Sequence, residues 1–270
     1  VFSPWYFAAR RRGAADPENH VALNVALYGV GGKRWAFTER RRAALTRNAT
    51  RLAIGPSAVA WEGDSLVIRI MERTCPWPGR ISGTVRLHPA ALARHGVTLD
   101  AAALHRWSPI APCARVEVAL DQPALRWAGE GYLDHNAGDE PIEHGFRQWH
   151  WSRAATRHGT VVLYDVTRRD GSTHSLSLCC QASGAIQPIA PPPAQALPRT
   201  GWRVARATRA DGPARVVSAF EDAPFYARTL LETRLLGGTA MAVHESLDLD
   251  RFRRPIVQWM LPFKAPRVLR

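Results

Sequence analysis

The sequence predicts an all-β protein made of two sandwich or barrel units. Three observations carry this. Period-two alternation recurs along the chain, most cleanly over residues 80–88, where Ile81, Gly83, Val85 and Leu87 share one face and Arg80, Ser82, Thr84, Arg86 and His88 the other. Strand-like runs are short and are broken by Gly, Asp and Pro turns. Helical periodicity is almost absent, with Pro89 to Arg94 as the one short helix candidate.

Taken in order, His20 to Tyr28 is apolar and strand-like, and Trp35 to Glu39 alternates. Val59 to Ile70 reads as strand, turn, strand around Glu62-Gly63-Asp64-Ser65. Cys113 to Leu120 and Leu125 to Asp134 make a hairpin around Asp121-Gln122-Pro123. Thr160 to Val166 and Ser175 to Cys180 make another, with Asp170-Gly171 as its turn signal. Pro188 to Pro198 holds five prolines and no periodic pattern, which reads as a linker. The β pattern resumes over 202–208, 214–220, 227–236, 240–246 and 257–263. The expected organisation is therefore a first domain over 1–187, a linker over 188–198 and a smaller domain over 199–270.

With 270 residues, 46% of them apolar, the chain can bury a sizeable core. No apolar run approaches the ~20 residues of a membrane helix. Val1-Phe2-Ser3-Pro4-Trp5-Tyr6-Phe7 has neither the basic segment nor the cleavage site of a signal peptide, and a start on Val rather than Met leaves room for residues before it. The net charge of +13, nearly all of it arginine, suits an anionic partner. No zinc-finger, helix-turn-helix or RNP pattern accompanies it, so nucleic acid is not expected. Arg10-Arg11-Arg12 and Arg40-Arg41-Arg42 are either solvated loops or a face attracted to anionic membrane. Cys75, Cys113, Cys179 and Cys180 lack CxxC spacing, and the adjacent pair points to opposite strand faces, so buried thiols are expected rather than disulfides or zinc.

Chemistry is sought first at the strand end Leu125 to Asp134, where Arg126, Glu130, Tyr132 and Asp134 share a face opposite Leu125, Trp127 and Leu133. Two i,i+2 pairs stand out, His105 with Trp107 and Tyr132 with Asp134. Facing one apolar cavity, they would supply a proton donor, a water-orienting group and two π faces. The bland alternative is a capped strand end and an Asx-turn from Asp134 into Asn136. The run Asp134, His135, Asn136, Asp139, Glu140, Glu143, His144 lacks HExxH and EF-hand spacing, and no metal is expected there. The indoles of Trp127, Trp149 and Trp151 serve either as core packing or as a hydrophobic ligand wall.

Several long words occur in fixed order: Val1 to Pro4, Asn19 to Gly29, Ile54 to Ser57, His105 to Val116, Gly131 to Asp134 through Asp139 to Pro141, and Val243 to Leu247. In these the chain resembles the bacterial carotenoid 1,2-hydratases (hydroxyneurosporene synthases), nearly end to end. More remotely it is similar to two-domain calycin, lipocalin-like proteins, a superfamily that includes cofactor-free pericyclases. The resemblance implies hydration of the terminal C1=C2 bond of an acyclic carotenoid such as neurosporene or lycopene, with no cofactor. It also implies an enzyme peripheral to the cytoplasmic side of the bacterial inner membrane. The catalytic residues it marks are His105, Trp107, Tyr132 and Asp134. A non-catalytic polyisoprenoid carrier and a cofactor-free cyclase remain alternatives.

Overall fold

The computed structural model describes residues 2–29 and 32–268; Val1, Val30, Gly31, Leu269 and Arg270 lie outside the described residues. Strands make up 55% of the chain and helix 11%, as the alternation predicts. The chain divides into two compact units, one of residues 1–88, 115–129 and 258–270, the other of residues 89–114 and 130–257.

The first unit holds an antiparallel meander, Leu45–Arg47, Arg51–Ile54, Ser57–Glu62, Ser65–Arg73 and Arg80–Pro89, which continues onto residues 115–122 and then 125–129 of the two longest strands. A two-stranded sheet, Asn24–Leu27 with Arg34–Phe37, adds apolar residues to its core. There Ala36, Ile70, Ile81, Val116, Val118 and Leu120 pack together, with Val25, Leu27, Ile68 and Val85 at the margin. These are the inward positions of the alternating runs, which is why hydrophobic burial selects this register.

The second unit is built on a seven-stranded sheet, in the order Ile186–Pro188, Thr173–Cys180, Gly159–Arg168, Phe146–Thr156, Gly238–Asp248, Tyr226–Leu235, Arg215–Asp222. One face carries Ala154, Val161, Leu163, Leu231, Leu235, Ala240 and Ala242 in a core that also takes Leu197. Further along that face lies a polar layer. His150 Nδ1 is 2.8 Å from Ser246 Oγ, and its ring stacks on His244, which bonds the Ala207 carbonyl through Nε2 at 2.8 Å. The opposite face carries Trp149, Trp151 and Tyr164, with Trp151 and Tyr164 directly paired in the ladder.

Burial pushes His244 down to about 3, against the pull of its bond to the Ala207 carbonyl, and His150 and Arg206 add like charge beside it. An unfolded imidazole titrates near ~6.5. As pH falls from there towards 3, the unfolded chain takes up a proton that the folded chain refuses, and above that window the contribution is constant. We expect stability to fall by up to about 1.4 kcal/mol per pH unit across this window. Urea midpoints compared between about pH 7 and pH 4 measure it. A slope unchanged in His244→Gln would remove His244 as its source.

Four expectations change, the first being the strand expected over 257–263, which is helical over Pro255–Met260 and Leu261–Phe263. Residues 188–198 are not a free linker, because Ala194–Leu197 pairs with Arg206–Arg209 and Leu197 enters the core. Three consecutive prolines, Pro191 to Pro193, precede this strand and mask its short alternation. The expected 1–187 and 199–270 domains therefore differ from the compact units, whose segments interleave along the chain. Pro89 to Arg94 is not helical, since the Ala90 and Ala93 amides donate to the Cys113 and Ile110 carbonyls at 2.9 Å each. Helices form instead at Pro4–Arg10, Ile142–Gly145, Leu249–Phe252 and Pro255–Met260. The first carries a readable signal: Ser3 caps it by accepting from the Tyr6 amide at 2.9 Å, and Pro4 follows the cap.

Candidate active site

The site lies in the second unit, on residues 105–114 and 130–138 of the two longest strands and on the aromatic face of the seven-stranded sheet. Alternation turns Trp107 inward from His105–Gln122, and turns Tyr132 and Asp134 inward from Leu125–Gly138. Trp107 is 0% exposed, and its indole Nε1 donates to Asp134 Oδ2 at 2.7 Å. The Tyr132 hydroxyl donates to the same oxygen at 3.0 Å. Two donors thus converge on Oδ2, while Oδ1 receives none from the described residues.

Burial raises the Asp134 carboxyl above the ordinary carboxylate range; the bonds from Trp107 and Tyr132 oppose this, and the nearby Glu245 charge adds to it. Glu245 is itself held by Arg228, with Nε to Oε1 at 2.8 Å. Burial, together with the Asp134 charge, also raises Tyr132, so its phenol stays protonated and acts as a donor. The Arg153 guanidinium lies 5.4 Å over the Tyr132 ring, and burial lowers its own pKa.

Aromatic rings close around this carboxyl. Trp107 and Tyr164 have centroids 5.4 Å apart, Tyr132 and Trp151 5.5 Å, Trp149 and Tyr164 4.9 Å, and Phe146 and Trp149 5.3 Å. Tyr164 donates its hydroxyl to Asn136 Oδ1 at 2.9 Å, and the buried Trp151 Nε1 has no partner among the described residues.

His105 stands apart from this cluster. Its Nδ1 is 2.9 Å from Asp100 Oδ2, and since a carboxylate only accepts, the proton sits on Nδ1. Its ring meets Phe146 at 4.7 Å, and Gly138 and Gly145 lie so close that an added Cβ would come within 3.2 and 2.6 Å of it. Nε2 is buried without a partner, and no hydrogen bond links His105 to Trp107, Tyr132 or Asp134 among the described residues.

Of the expected site residues, Trp107, Tyr132 and Asp134 form one hydrogen-bonded cluster, with Trp149 and Trp151 in its aromatic wall. Trp127 belongs to the first unit, is 48% exposed and lies against Gly129. The polar run after Asp134 spreads out: both Asp139 oxygens take Arg106, at 2.8 and 2.9 Å, while Glu143 is buried. Sequence reasoning did not pick out Tyr164, Phe146, Arg153 or Glu245. The signal for Tyr164 and Glu245 was present, since both alternate inward on their strands, but only the ladder pairings Trp151 with Tyr164 and with Glu245 bring them to the site.

The family model described as carotenoid hydratase CrtC matches residues 1–270. An acyclic carotenoid 1,2-hydratase of Thiocapsa roseopersicina is 56% identical over 99% of this chain and 67% of its own length. Its namesakes in Rubrivivax gelatinosus and Cereibacter sphaeroides are 45% and 43% identical over 99% of this chain, covering 67% and 95% of theirs. In architecture, the chain is similar to the crystal structure of an AttH-type protein of Nitrosomonas europaea, with a TM-score of 0.56 and 13% identity over 83% of this chain and 80% of that one.

Proposed function

This chain belongs to the carotenoid hydratase CrtC family, and from that premise we propose that Asp134 is the general acid that hydrates the terminal double bond of an acyclic carotenoid. The protein is a hydro-lyase acting on carotenoids. One observation carries the assignment of the acid: a buried, raised carboxyl whose Oδ2 is occupied by two donors, leaving Oδ1 for the proton.

Asp134 Oδ1–H delivers its proton to C2, and the C1=C2 π pair becomes the C2–H bond. C1 is left as a tertiary cation. The oxygen of a water then bonds to C1, and the proton it sheds returns to the Asp134 carboxylate. Water and alkene become a tertiary alcohol, and the acid is regenerated. Trp107 and Tyr132 hold the carboxyl and shield the cation, each desolvated cation–π contact being worth ~2 kcal/mol or roughly thirty-fold in rate. That is too little alone; holding the acid, alkene and water in line can supply ~7–11 kcal/mol more. His105 keeps Nε2 free to accept from the water, with Asp100 fixing its tautomer. The substrate dissolves in lipid, so the enzyme works in peripheral contact with an anionic membrane, at the cytoplasmic side of the bacterial inner membrane. No described helix is long and apolar enough to cross one.

Lycopene incubated with the protein in heavy water, without oxygen and with a chelator, tests this reading. The expected product is a tertiary alcohol carrying one deuterium at C2. An unchanged carotenoid would mark a carrier, and an isomer without the added mass of water a cyclase.

A further inference from the structure

The first unit exposes aromatic side chains that its fold does not use. Trp77 is 81% exposed, Trp259 67% and Phe263 61%. Trp77 sits at the tip between the paired strands Ser65–Arg73 and Arg80–Pro89. Trp259 and Phe263 pack edge to face, 5.8 Å apart, near the end of the described chain. The two features are tied together: the Lys264 carbonyl accepts from Cys75 Sγ at 3.1 Å and from Trp35 Nε1 at 2.7 Å, next to Phe263 and two residues from Trp77. The Lys264 ammonium lies 5.2 Å over the Trp35 ring.

Charge gives this face its partner. Arg73 and Arg80 are directly opposed in the ladder at the base of the Trp77 tip, both exposed. Among the described residues neither has an acidic partner. Like charges in opposed ladder positions repel, and a nearby anion relieves the repulsion. The basic runs prominent in the sequence are more committed: Arg40 pairs with Glu72 at 2.8 Å, and Arg42 with Asp16 and Glu18 at 2.8 Å each. Exposed indoles beside unpaired guanidiniums suit a bilayer interface, where the ring enters the headgroup layer and the cation meets a phosphate.

We propose that Trp77, Trp259 and Phe263, flanked by Arg73 and Arg80, form the surface by which this protein docks on an anionic lipid bilayer. The proposal rests on the membrane contact inferred above and says where that contact is made. Docking is then part hydrophobic and part electrostatic, so it weakens with salt without vanishing.

Flotation with vesicles of pure phosphatidylcholine, and of equal parts phosphatidylcholine and phosphatidylglycerol, tests it. The wild type should bind the mixed vesicles far better than the neutral ones. Trp77→Ser/Phe263→Ser and Arg73→Gln/Arg80→Gln should each lower that binding about tenfold or more. Both double variants should hydrate detergent-dispersed lycopene at the wild-type rate, which also reports that they fold. Variants that bind the mixed vesicles as the wild type does would overturn the proposal. So would a wild-type oligomer in sedimentation that the aromatic variant dissolves, because the face would then be an interface between copies. A wild type that binds vesicles but hydrates nothing in detergent would sink the hydratase reading and leave the docking face standing.

Discussion

Asp134→Asn is expected to abolish hydration while leaving the fold and carotenoid binding in place. The amide oxygen can still accept from Trp107 Nε1 and the Tyr132 hydroxyl, the two bonds that position the wild-type carboxyl at 2.7 and 3.0 Å. The amide nitrogen then occupies the place of Oδ1, and it has no carboxyl proton to deliver. General-acid catalysis contributes about 10²–10⁴-fold, and here the proton is also the first bond made, so a loss of at least about 10³-fold in kcat follows. Product formation measures the rate, and quenching of tryptophan fluorescence by the carotenoid measures binding. Substantial residual hydration would move the donor to His105 or Tyr132. Tyr132 is the weaker of these, since burial, the largest cause of its raised pKa, still holds its proton when the Asp134 charge is gone.

Trp107 should give the second-largest effect, and its two substitutions separate its roles. Phe and Leu both remove the indole N–H that donates to Asp134 Oδ2. That bond favours the ionised carboxyl, so its loss raises the Asp134 pKa further. The acid must be protonated to act, so the alkaline limb of the pH–rate profile should move to higher pH in both variants. Both also leave a cavity at a fully buried position, costing up to about 3 kcal/mol of stability. Only Phe keeps a π face. If the ring shields the cation, Phe should outpace Leu by roughly thirty-fold at matched folded fraction, with binding little changed. Equal rates would make Trp107 a hydrogen-bond donor and a wall, and no more.

Why these residues could be found before the fold was known is a matter of distance along the chain. His105 with Trp107, and Tyr132 with Asp134, are i,i+2 neighbours, and an extended backbone alone puts each pair on one side. Alternation showed the strands for the same reason, because burial acts on every second residue. What escaped is non-local. Tyr164 and Glu245 reach the site through the pairings of Trp151 with strands on either side of it, and nothing local in sequence sets that register. Trp127 is an indole on an apolar strand face, but alternation gives a face, not what lies over it, and Trp127 is nearly half exposed. His105 shared its face with Trp107 as expected, yet Asp100, Gly138 and Gly145 enclose its ring, and none of them is a neighbour that i,i+2 logic inspects.

The interleaving of the two units bears on how this enzyme can be dissected. One unit is assembled from three stretches of chain and the other from two, so no single cut releases either intact. A fragment ending at residue 187 would keep His105, Trp107, Tyr132 and Asp134 yet lose the strand Gly238–Asp248, which pairs with Phe146–Thr156. The bare edge of Phe146–Thr156, with three aromatic residues along it, would then be open to pairing with other chains. Truncation studies of this protein should therefore yield aggregates rather than a minimal hydratase, and new sequence is better grafted at the exposed turn around Asp170-Gly171, which joins the paired strands Gly159–Arg168 and Thr173–Cys180.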